Sequence, residues 1–117
     1  MKRRGVQGEG VEVSYEREFE YYEQAAHLGY AKAQYTLGLM YERGIGVTQS
    51  YSRAREYFEQ AAHLGYAKAQ YILGVMYYKG EGVERVDIAK TKEWWTKAAA
   101  QGEKNAIKNL KLKNCSP

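Results

Sequence analysis

The chain of 117 residues holds one cysteine and one proline. Nowhere does it string together the roughly eighteen apolar residues that a membrane-crossing helix needs. With Cys115 alone, an intramolecular disulfide is excluded, nothing points to an oxidising compartment, and an intermolecular bridge is the one disulfide left open. The scarcity of proline leaves helices uninterrupted and argues against a proline-rich linker. The opening MKRRG is basic but runs on to Glu12 without an apolar stretch. No secretory leader or membrane insertion is therefore expected, and the chain reads as cytoplasmic. Chemistry is scarce as well. There is no serine followed three residues on by lysine, no nucleophile elbow, no Walker loop, no histidine pair at helical spacing and no cysteine–histidine pair in a plausible order. Gly44-x-Gly46 is too short to cradle phosphates. No catalytic residue, cofactor or metal site is expected.

The middle of the chain lacks an excess of positive charge. The net +4 divides into +3 at Lys2, Arg3 and Arg4, +5 from Ile88 onward, and −4 between them. Nucleic-acid binding wants a continuous basic stripe, and two basic ends around an acidic centre do not supply one. The terminal lysines read as solvated groups that keep the ends soluble.

What is present is repetition. Residues 23–35 read EQAAHLGYAKAQY, and residues 59–71 read the same without a change. A fixed period of this length means a stacked helical array, in which each unit is too small to bury its own apolar face and leans on its neighbours. Gly29, Gly65 and Gly102 fall where one helix of each unit ends, and the pairs Gly8/Gly10, Gly44/Gly46 and Gly80/Gly82 where the other ends. Ser14, Ser50 and Asp87 follow as helix N-caps. The pattern predicts six helices, near 14–28, 31–43, 51–64, 67–79, 88–101 and 103–112. The organisation is an N-terminal segment 1–13, a partial repeat 14–30, repeats 31–66 and 67–102, a capping helix 103–112 and a tail 113–117. The third unit carries one extra residue between Gly82 and Asp87, in an exposed loop.

On the helical wheel, Ala33, Leu37, Met40 and Tyr41 share one side of the second helix, and Ala54, Tyr57, Phe58, Ala61 and Ala62 one side of the third, so these faces should meet. Gly38 and Gly74 lie inside helices, where glycine costs about 1 kcal/mol relative to alanine. Their recurrence predicts a neighbour too close for a methyl group. The last helix has Lys111 at that position and reads as a polar end cap.

Ala31-x-Ala33-Gln34-x-x-Leu37-Gly38-x-x-Tyr41-x-x-Gly44-x-Gly46-Val47, then Arg53-Ala54, Tyr57, Gln60-Ala61-Ala62 and Gly65, resembles the Sel-one-like repeat family, a branch of the helical repeats related to tetratricopeptide arrays. The pattern recurs from Ala67 through Gly82-Val83, Asp87, Lys90, Trp94, Lys97-Ala98-Ala99 and Gly102. The resemblance implies an all-α, right-handed superhelix of antiparallel helix pairs that acts as an adaptor for other proteins in signalling, membrane-linked quality control or bacterial interaction with hosts. Some secreted relatives bridge their helix pairs with disulfides, and this chain, with Cys115 alone, departs from them. Glu18 and Thr91 also depart, standing where the pattern has the alanine seen at Ala54.

The two near-identical units differ at Thr36/Ile72, Leu39/Val75, Glu42/Tyr78 and Arg43/Lys79. Three of those pairs fall near one line on the wheel, on the side away from the packing face, with Lys32 and Lys68 on the same line. Since first helices of such pairs usually line the concave side, Lys32, Tyr35, Leu39, Glu42, Lys68, Tyr71, Val75 and Tyr78 form the expected groove for a protein or peptide; the alternative is a merely tolerant exposed face. His27 and His63 read as helix-end histidines beside Glu23 and Glu59 rather than metal ligands. Trp94 reads as a packing residue, and Trp95 as the counterpart of Phe58. Phe19, Tyr21 and Tyr22 lie on a helix whose preceding partner is missing, which suggests a homodimer or longer stack. Self-assembly and a small-ligand sensor, for a nucleotide or cell-wall fragment, are the alternative functions to a non-catalytic scaffold.

Overall fold

In the computed structural model of the chain, residues 14–113 are described. They form six helices: α1 (Tyr15–His27), α2 (Ala31–Arg43), α3 (Tyr51–His63), α4 (Ala67–Lys79), α5 (Ile88–Ala100) and α6 (Lys104–Leu112). Consecutive helices pack side by side along the chain, and no strand occurs among the described residues. The expected N-terminal segment 1–13 and most of the tail, with Cys115, lie outside them.

Local signals set the boundaries. Ser14, Ser50 and Asp87 each accept the backbone N–H three residues on, at 3.3, 3.2 and 3.1 Å, and so satisfy one of the free donors of the first turn. Glu103 does the same for α6 at 2.8 Å. It therefore stands outside the helix as its cap, although the glycine punctuation places the start of the helix at 103. At the other end of α1, α3 and α5 a glycine takes φ near +90°, and the residue after it donates back to a carbonyl five residues earlier, as Tyr66 does to Ala61 at 3.0 Å. That closure turns the chain directly into the next helix. The extra residue of the third unit sits in the loop before α5 without disturbing its anchor: Asp87 N–H donates to Tyr77 O at 2.9 Å, as Ser50 does to Tyr41.

The core is a strip rather than a ball. Ala26, Ala33, Leu37 and Met40 cluster between α1 and α2. A larger cluster around Ala54, Phe58, Ala61, Leu73 and Met76 joins the middle helices, and Trp95, Ala98 and Ala106 close the end with α6. Gly38 and Gly74 make the closest approaches. A β-carbon on Gly38 would collide with the Phe58 ring, and one on Gly74 with the Trp95 indole. Both rings are fully buried in these notches, so Trp95 is the counterpart of Phe58. Thr91 adapts to the place of an alanine by donating its hydroxyl to Gly74 O at 2.9 Å, which makes it a clasp between α4 and α5.

Candidate protein-binding surface

The first helices of the pairs, α2 and α4, and the terminal α6 stand in a row, and two shallow clefts open between them. One, of about 250 Å³, is lined by Tyr35 of α2, Lys68, Tyr71 and Ile72 of α4, and Glu103 and Asn105 at the start of α6. The other, of about 240 Å³, lies between α4 and the end of α6, with Tyr71, Val75, Tyr78 and Lys79 on one wall, Asn109 and Lys113 on the other, and Trp95 behind. Tyr71 belongs to both. Its ring stacks on Trp95 at 6.0 Å between centroids, its carbonyl accepts Trp95 Nε1–H at 3.0 Å, and its hydroxyl accepts from Asn109 Nδ2 at 3.0 Å. Tyr78 stacks on the same indole at 6.0 Å.

The structure brings Tyr35, Lys68, Tyr71, Val75 and Tyr78 to these clefts, and leaves Lys32, Leu39 and Glu42 outside them. It also corrects the expectation for part of this surface: Lys32, Arg43, Lys68 and Lys79 are exposed, but Leu39 and Val75 on the same line, and the groove tyrosines beside them, do not face away from the packing. Tyr35 and Leu39 pack against the central cluster, and Tyr71 and Val75 against the terminal one. The cause is the glycine notch: Phe58 and Trp95 enter so deeply that their rings reach the far flank of the preceding helix, Phe58 lying 5.8 Å from Tyr35. Burial accordingly raises the Tyr35 hydroxyl above its ordinary value, with Tyr66 adding to the rise. Burial likewise raises the Glu42 carboxyl, which Arg43 and Lys79 pull down and Glu81 pushes up. Glu103, Asn105 and Asn109 went unrecognised from the sequence. The 37-residue step of the last unit would have pointed to Asn105, since it carries Lys68 there, whereas Glu103 and Asn109 are in register with Tyr66 and Ile72, which the expected groove did not include.

Other expected residues fall as follows. Phe19 meets Tyr41 edge-on at 5.5 Å and Tyr22 is half-buried beside it, so of the three residues expected to self-associate only Tyr21 stays open, 68% exposed. His27 and His63 end their helices, but Glu59 pairs with Arg55 at 2.8 Å while His63 meets Trp94 edge-on at 5.2 Å. Among the described residues no group of three or more metal-ligating side chains converges, and no helix is long and apolar enough to cross a membrane.

The family model described as Sel1 repeat matches residues 4–30, 31–66 and 67–103, beginning the first repeat ahead of the partial one expected from residue 14. The chain is similar to a protective antigen of uropathogenic Escherichia coli with an SLR fold, at 36% identity and a TM-score of 0.82, over 92% of this chain and 23% of that one. It is similar to a Sel1 repeat protein from Oxalobacter formigenes at 33% identity and a TM-score of 0.82, over 91% of this chain and 42% of that one. Cysteine-rich protein B of Helicobacter pylori matches at 26% identity and a TM-score of 0.79, over 84% and 73% of the two chains. The chain thus spans less than half the length of the first two. No curated protein gives a significant match.

Proposed function

We propose, from the premise that this chain belongs to the Sel1 repeat family, that it is a non-catalytic scaffold holding a peptide or helix of another protein along the row α2, α4 and α6. Repeats of this family generally mediate protein–protein interactions. The observation that carries the finer reading is the pair of clefts sharing Tyr71. A stacked aromatic floor held by Trp95 and Asn109 offers rigid apolar area at low entropic cost, and the flanking Lys68 and Lys79 side chains are exposed for a carboxylate on the ligand.

Selection from a displayed random-peptide library, followed by NMR mapping of the selected peptides, tests this reading. Amide shifts should concentrate at Lys68, Ile72, Tyr78, Lys79 and Asn105. Lys68→Glu with Tyr78→Ser should weaken binding about tenfold or more with helicity retained; Lys68 is exposed, whereas Tyr78, 37% exposed and stacked on Trp95, also supports that ring, so a modest fall in melting temperature accompanies the loss of binding. Tyr71 is a poor probe, since it also braces α6. Shifts confined to the loop 80–87 would place the binding surface elsewhere and overturn the reading.

A further inference from the structure

The two ends of the described array carry opposite charge. Helix α1 has four glutamates against Arg17, and α6 has three lysines and no carboxylate of its own. The repeat register makes this more specific. Inside the chain, the second helix of each unit seats an aromatic ring, Phe58 or Trp95, in the glycine notch of the helix before it, and four residues ahead of that ring Ala54 or Thr91 packs in the core beside the notch, Thr91 on the Gly74 carbonyl itself. In α1 the ring position is Tyr22 and the other is Glu18; in α6 the notch position is Lys111. Two departures from the repeat pattern thus fall on positions that touch one another within the chain. They are a carboxylate and an ammonium. Ala54 and Thr91 are fully buried, whereas Glu18 and Lys111 are exposed, and neither has an ion-pair partner among the described residues.

We infer that two copies of this chain stack head to tail, α1 of one seated on α6 of the next as α5 sits on α4, with Glu18 meeting Lys111. A lysine in place of the notch glycine forbids deep entry of a ring, so Tyr22 lies over the lysine stem with its hydroxyl outward instead of burying as Trp95 does. Leu112, 69% exposed, takes the register position of Leu39 and Val75, which are half-buried beside Phe58 and Trp95, so stacking covers it with Tyr22. The occupant is a second copy, because α6 carries the lysine and the leucine that match Glu18 and Tyr22 of α1 in the repeat register. The contact joins different faces, so it propagates into open stacks rather than a closed dimer.

Sedimentation of the full chain over a wide concentration range tests this. Wild type should show mass rising with concentration at low salt and falling back with added salt. Glu18→Lys alone and Lys111→Glu alone should each weaken association about tenfold or more by setting like charges face to face, with helicity unchanged. An equimolar mixture of the two variants should associate again, since each supplies the charge the other lost. A single-chain mass at all concentrations, association indifferent to both variants, or a mixture no better than its components would overturn the proposal.

Discussion

Gln34 and Gln70 occupy one repeat position and do the same first task, donating Nε2–H to the carbonyl of Ala26 and Ala62 in the preceding helix. Their acceptor oxygens differ. Gln70 Oε1 accepts from Gln101, whose amide also reaches Gly65 O at 2.9 Å, whereas Gln34 Oε1 is buried with no partner among the described residues. The residue in register with Gln101 is Leu64, a leucine left 58% exposed. An unmet buried acceptor costs about 1–3 kcal/mol. Leu64→Gln should therefore reproduce the Gln101 bridge to Gln34 and Gly29, stabilising the chain by about 1 kcal/mol in urea unfolding while removing apolar surface. A midpoint at or below wild type would show that Gln34 is already satisfied by water.

At the scale of helices, the notch decides how units join. Gly74→Ala adds helix propensity worth about 1 kcal/mol, yet its methyl group would lie inside the Trp95 indole, so a net loss of about 1–3 kcal/mol is expected. In a Trp95→Ala background, itself destabilised, the same substitution should become neutral or stabilising. Equal effects in both backgrounds would mean that the notch does not hold the ring. This joint also marks the limit of what the sequence makes legible. Six helices, their caps and the closeness at Gly38 and Gly74 follow from punctuation and period, because backbone chemistry at Ser50 or Gly65 is local. The far reach of Phe58 and Trp95 is not local. A wheel assigns each residue to one face, but a ring entering a notch packs on both flanks, so Tyr35 and Tyr71 become half core and half surface. Asn105 and Asn109 were hidden for a simpler reason: α6 reads as a polar cap, and only its register with α4 shows that it walls the clefts.

For the whole molecule, stability in an array is the sum of units and of the joints between neighbours, with no centre that an added unit would disturb. The identical runs 23–35 and 59–71 allow a strict test. A second copy of residues 31–66 inserted after Tyr66 creates no new junction, because each seam repeats a sequence the chain already contains. The longer chain gains one more notch filled by phenylalanine and one more hydrogen bond from a glutamine Nε2–H to the carbonyl of the preceding helix, and it leaves α1 and α6 as its ends. Its denaturant m-value should rise by about a third, in proportion to the surface newly buried, and its midpoint should move upward, because each joint now forms a smaller share of a longer cooperative stack. An unchanged midpoint with two separate transitions would mean that the units do not couple. In that event the clefts between α2, α4 and α6 would lack the rigid spacing that recognition of a single extended ligand requires.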